Sequence, residues 1–97
     1  MPTYVILFNY TQQGIENIED SPERHETFVE LVEAVGGEEK AFYLTMGPYD
    51  LVSICEFPDD DAAARAVLRD CQFGNVTTQT MRAWPTDDFR ELVANLP

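Results

Sequence analysis

Lys40 to Phe57 reads K-A-F-Y-L-T-M-G-P-Y-D-L-V-S-I-C-E-F, two β-prone runs hinged on Gly47-Pro48-Tyr49-Asp50. Phe42, Tyr43, Leu44 and Thr45 precede the hinge; Leu51, Val52, Ile54 and Phe57 follow it. Aromatic and β-branched runs around a Gly-Pro turn predict a β-hairpin. Pro48 presets φ at one turn position, and Gly47 admits a backbone conformation that a Cβ resists. Asp50 has backbone groups of the turn within reach of its carboxylate.

Outward from the hairpin, Thr3–Tyr10 is a strand with apolar residues in both alternating sets, so both faces of the sheet around it are expected to be covered. Thr11-Gln12-Gln13-Gly14-Ile15 reads as a polar exit broken at Gly14. Ser21-Pro22-Glu23 is a helix start, with a capping hydroxyl, a first-turn proline and an acid at the positive dipole end. Phe28, Leu31, Val32 and Val35 follow at helical spacing, and Gly36-Gly37 ends the helix. Pro58-Asp59-Asp60-Asp61 opens a second helix with a thin stripe of Ala62, Ala63, Ala66 and Val67, stopped by Gly74. Val76–Trp84 is a threonine-rich strand of edge character. Thr86-Asp87-Asp88 is expected to cap a last short helix with the stripe Phe89, Leu92, Val93 and Leu96. The order predicts one α+β domain over residues 1–97. Its fold is a ferredoxin-like βαββαβ antiparallel sheet with helices on one face and an extra C-terminal helix.

Eighteen acidic against six basic side chains leave a net charge of −12. Such a surface repels phosphates and anionic lipid, which predicts neither nucleic-acid nor membrane partners. Met1-Pro2-Thr3 runs straight into a strand, and no apolar run approaches the length of a membrane span, so a cytoplasmic location is expected. Cys55 and Cys71 lack redox or metal spacing and read as free thiols.

The hinge Thr45-Met46-Gly47-Pro48-Tyr49-Asp50-Leu51-Val52 resembles the GYD-domain family, named for a glycine closely followed by Tyr-Asp. Pro2-Thr3-Tyr4-Val5, Gln13-Gly14-Ile15, Ala41-Phe42-Tyr43-Leu44 and Gly74-Asn75-Val76 are similar to that family as well, so the resemblance spans nearly the whole chain. It implies a ferredoxin-like fold of the dimeric α/β barrel type and supplies no catalytic residues.

The candidate ligand-binding residues are Tyr49 and Asp50, with Thr45 and Thr80 nearby. A phenol and a carboxylate at a hairpin end suit a small ligand, with Asp50 as a possible base. Turn chemistry accounts for Gly47, Pro48 and part of Asp50, but a turn needs no phenol. His25, the only histidine, reads as a solvent-edge residue at a helix start. Asp59-Asp60-Asp61 lacks the acid spacing and glycine of a calcium loop. Phosphate loops, Gly-x-Ser-x-Gly and Cys-His pairs are missing, so no cofactor, metal or familiar nucleophile is expected. Asn9, Tyr43, Thr45, Ser53, Thr78, Thr80 and Arg82 are polar groups within strands that need partners. These residues favour a homodimeric small-molecule binding module. The alternatives are a cofactor-independent enzyme of the barrel type, a monooxygenase or isomerase, and an interaction protein without a ligand.

Overall fold

The computed structural model describes all residues, Met1–Pro97. Strand β1 (Thr3–Tyr10) leads through a short helix α1 (Gln12–Glu16) and a 3₁₀ turn (Ile18–Asp20) into α2 (Ser21–Ala34). The hairpin β2 (Glu38–Leu44) and β3 (Leu51–Glu56) follows, then α3 (Asp60–Gln72), β4 (Val76–Ala83) and α4 (Thr86–Ala94). The four strands form one antiparallel sheet in the order β2-β3-β1-β4. This is the α+β, ferredoxin-like βαββαβ arrangement, with the extra helix α4 after it.

The core lies between the sheet and the pair α2–α3. Tyr4, Ile6 and Phe8 of β1 alternate inward beside Leu51, Ser53 and Cys55 of β3. They meet Phe28 and Val32 of α2 and Ala62, Ala63 and Ala66 of α3. Three alanines on one stripe let the α3 backbone approach the sheet closely. Ring pairs fix the layers: Phe8 meets Phe28 edge-on at 5.3 Å, and Tyr4 meets Phe57 at 5.4 Å. Tyr4 also donates its hydroxyl to Asp60. Both cysteines are free, and Cys55 is fully buried.

The other sheet face is open. By register it carries Val5 and Leu7 of β1, Val52 and Ile54 of β3, Ala41 and Tyr43 of β2, and Gln79 and Met81 of β4. Helix α4 does not cover it: all nine of its residues are exposed. The apolar residues in both sets of β1 therefore imply a cover that one chain does not provide.

Four expectations need correction. The sheet is not closed into a barrel; it ends at β2 on one side and β4 on the other. Four strands curl too little to close, since filled barrels take about eight. Gly14 is not a break but lies inside α1, where a Cβ would sit 2.1 Å from the Asn75 carbonyl oxygen. Ser21 does not cap α2; its hydroxyl pairs instead with the Tyr10 phenol at 2.7 Å. Nor does a side chain cap α4, which starts after Pro85. Helix α3, opened as expected by the Asp59-Asp60-Asp61 run, is capped by Asp59, which accepts from the Ala62 N–H at 2.8 Å. No helix is long and apolar enough to cross a membrane.

The only register shift lies in β2 between Glu39 and Ala41, so Lys40 bulges from the ladder on an edge strand.

Candidate functional site

Two regions gather polar groups: the hinge, and a cavity beneath the N-terminal half of α2.

At the hinge the chain brings together Thr45, Tyr49 and Asp50, but not Thr80. Thr45 closes the turn twice, through its N–H to the Asp50 carbonyl (2.8 Å) and its hydroxyl to the Tyr49 carbonyl (2.6 Å). The Asp50 N–H donates to the Phe8 carbonyl, and the Asp50 carboxylate accepts from the Tyr10 N–H, both at 2.9 Å. Asp50 thus carries the β1–β3 ladder past its end with a side chain. Gly47 holds φ at +114° in open space, so conformation alone demands glycine there. The Tyr49 hydroxyl donates to Gln79 of β4 at 2.9 Å, placing the phenol at the rim of the open face. Thr80 lies opposite Ile6 on the helix side and is exposed. None of the four lines the cavity.

The cavity holds about 400 Å³. Its floor is Phe8, Tyr10, Phe42, Leu51 and Val76 of the sheet; its roof is Ser21, Arg24, His25 and Phe28 of α2. Asp70, Phe73 and Asn75 close the side toward α3. Arg24 anchors the roof by donating to the carbonyls of Asn17 (2.7 Å) and Gly14 (3.0 Å). On the wall, the Thr11 hydroxyl donates to the Gly74 carbonyl (2.6 Å), and the Gln13 amide donates to Phe73 and Asn75 (both 3.0 Å). The Gln13-Gly14-Ile15 and Gly74-Asn75-Val76 steps are therefore two halves of one clamp, joined across about 60 residues of sequence.

His25 is not a loose solvent-edge residue. Its ring stacks on Phe42 at 3.7 Å, and Nε2 lies 2.7 Å from Glu39. The other Glu39 oxygen accepts from the Ser53 hydroxyl at 2.6 Å, and Ser53 lies 3.3 Å from the Cys55 sulfur. The members resemble a hydrolytic triad, but their order differs. Glu39 stands between Ser53 and His25, so no imidazole faces the hydroxyl to take its proton. Ser53 is also fully buried, and burial pushes the Cys55 thiol up to about 11, far from thiolate reactivity. The chain satisfies a buried hydroxyl here and activates no nucleophile. No group of three or more His, Cys, Asp or Glu is placed to hold a metal.

Asp70 is the perturbed acid of the cavity. Burial pushes its carboxyl up from 3.8 to about 6, against the opposing pull of the Arg24 guanidinium. Because the folded value is raised, protonation favours the fold. The penalty of ionised Asp70 is absent below about pH 4 and complete once pH has risen through 6. Asp70→Asn is expected to stabilise the protein by about 1–2 kcal/mol at pH 8 and to change nothing at pH 4. Urea unfolding at the two pH values measures this.

Sequence reasoning missed this cavity because its polar members, Arg24, Asp70 and Asn75, come from separate elements. The readable signal was a single one, the Gly74-Asn75-Val76 step.

Comparison with known proteins bears on the family and the fold. Residues 4–93 match the GYD domain family. A protein of Thermus thermophilus called glutamine synthetase and cystathionine beta-lyase binding protein is 38% identical over 90 residues, 92% of this chain and 95% of that one. The crystal structure of FFRP-DM1 shares the fold at 21% identity and a TM-score of 0.61, over 87% of this chain and all of that one. A crystal structure of a Thermus thermophilus protein does so at 20% identity and 0.56, over 89% of this chain and 96% of that one. At that identity the likeness to FFRP-DM1 is one of fold, and beside it the exclusion of nucleic-acid partners does not stand. That exclusion rested on whole-chain charge, a sum over the surface that does not describe any one patch. With its hinge, its clamp and nearly all of its length matched, the chain belongs to the GYD domain family.

Proposed function

We propose that this protein is a protein-binding module: two copies pair through their open sheet faces, and α4 presents its apolar stripe to a partner enzyme. The observation that carries this reading is α4. Phe89, Leu92 and Val93 share one stripe of the helix, Leu96 follows just past its end, and the four are 59%, 50%, 51% and 70% exposed. An amphipathic helix left without a cover is an unfilled contact surface. The molecule measures 50 Å along its longest axis against 18 Å along its shortest, an elongated form for so small a chain. The name of the Thermus thermophilus relative supports the same reading, since that protein binds glutamine synthetase and cystathionine beta-lyase. Enzymes of those two kinds are the first partners to test. Between the ligand, enzyme and interaction classes, the buried Ser53 and Cys55 and the uncovered α4 favour interaction.

The test is capture of purified glutamine synthetase and cystathionine beta-lyase from the same cell on the immobilised protein. Leu92→Asp places a charge in the middle of the stripe. It is expected to weaken capture at least roughly tenfold while sedimentation and circular dichroism stay unchanged, since a buried unpaired charge costs more than about 1.4 kcal/mol. Undiminished capture by this variant would move the contact away from α4. Failure of both enzymes to bind would remove the partner assignment.

A further inference from the structure

The cavity beneath α2 faces neither the open sheet face nor α4, so what it holds is independent of the protein-binding reading. Its chemistry is asymmetric. One side is hydrocarbon, with Phe8, Phe28 and Phe42 as ring walls. The other side carries two opposite charges, Arg24 and Asp70, that feel each other but form no direct ion pair. Arg24 directs its guanidinium N–H groups to the Gly14 and Asn17 carbonyls. Asp70 belongs to none of the ion pairs, and no side chain or backbone N–H of the protein donates to its carboxylate. Of the remaining polar lining groups, His25 is matched by Glu39, and Ser21, Thr27, Tyr10 and Asn75 are neutral.

An anion entering this space is drawn by Arg24 but repelled by Asp70, and a cation the reverse, so neither sign gains outright. A neutral molecule meets both without penalty, provided it offers a donor to one and an acceptor to the other. A volume of about 400 Å³ lies within the range of small-molecule sites and accommodates a bicyclic ring. We propose that the cavity binds a small uncharged aromatic amide, its ring among Phe8, Phe28 and Phe42, its N–H toward Asp70 and its carbonyl toward Arg24. The phenyl walls supply area and edge-to-face contacts, and the two charges supply orientation.

Three probes of one shape and three charges test this: 2-naphthamide, 2-naphthoate and 2-naphthylmethylammonium. Each is titrated into the intact protein at pH 8, followed by calorimetry and by the aromatic proton resonances. The amide is expected to bind at least tenfold tighter than either charged analogue and to shift the Phe8, Phe28 and Phe42 resonances. In Asp70→Asn the anion no longer meets a like charge while Arg24 remains. Naphthoate is then expected to gain at least tenfold, and the amide, still offered a carbonyl acceptor but no longer a charged one, to weaken by less than roughly tenfold. Equal binding of all three probes, in both proteins, would reduce the cavity to unselective apolar space and overturn the proposal. So would the absence of binding by the amide up to its solubility limit.

Discussion

A Val52→Asp protein is expected to sediment as an 11.0 kDa species, and the unaltered protein at twice that mass. Val52 stands at the centre of the open face, between Leu7 of β1 and Tyr43 of β2 in the register. Ile54, beside it on the same strand, pairs with Val5 and Ala41. In the isolated chain this surface is half-exposed hydrocarbon, and Tyr43 and Met81 at its margins are 60% and 47% exposed. Pairing two such faces removes both from water. A carboxylate there must either be desolvated without a partner or keep the faces apart. A cost of about 3 kcal/mol or more lowers the association constant by roughly a hundredfold. The substitution leaves the helix-side core untouched, so circular dichroism is expected to be unchanged. Analytical ultracentrifugation at micromolar concentration decides the matter, and an unaltered protein found only at 11.0 kDa would end the pairing hypothesis.

The second large effect is expected from Gly14→Ala. A methyl group at this position meets the Asn75 carbonyl oxygen at 2.1 Å and the Asn75 carbonyl carbon at 3.0 Å. Backbone must then move, and with it the Thr11 and Gln13 hydrogen bonds that clamp α1 to the Gly74–Asn75 turn. Overpacking of this kind costs about 2–3 kcal/mol. In a domain of this size that lowers the melting temperature by roughly 10 °C or more, which scanning calorimetry reads directly. A shift under about 3 °C would mean that the turn yields without resistance.

Gly14 also marks where reading the sequence stops. Its glycine was visible, and the family resemblance singled out its tripeptide, but its physical reason is a backbone packed against it from about 60 positions away. Local signals succeeded where the cause is local. The alternation of β1, the Asp59 cap, the alanine stripe of α3 and the positive φ of Gly36 and Gly74 follow from neighbouring residues. Ser21 failed as a cap because the 3₁₀ turn runs straight into α2 and leaves Ser21 helical, at φ −57° and ψ −42°, with its hydroxyl paired to the Tyr10 phenol from β1. The candidate site divides in the same way. The turn chemistry of Thr45, Gly47 and Asp50 is confined to the hinge and was legible there. The Glu39 carboxylate that unites His25 and Ser53 was not, because a glutamate in a strand gives no sign of facing inward. Arg24 and Asp70 reach the cavity from two different helices, and their meeting there has no signature in either.

The bulge at Lys40 bears on how far such a molecule can grow. A sheet with two free edges offers two modes of association, face to face and edge to edge. Face pairing consumes the surface that drives it and stops at a closed two-fold pair, whereas edge pairing regenerates a new edge at each step and has no natural end. Strand β2 carries its irregularity on that vulnerable edge, and there the chain places its sole lysine, beside Glu38 at 3.5 Å. An ammonium on a kinked ladder offers an incoming strand neither a straight row of hydrogen bonds nor an uncharged approach. One displaced residue thus separates a finite complex from a filament.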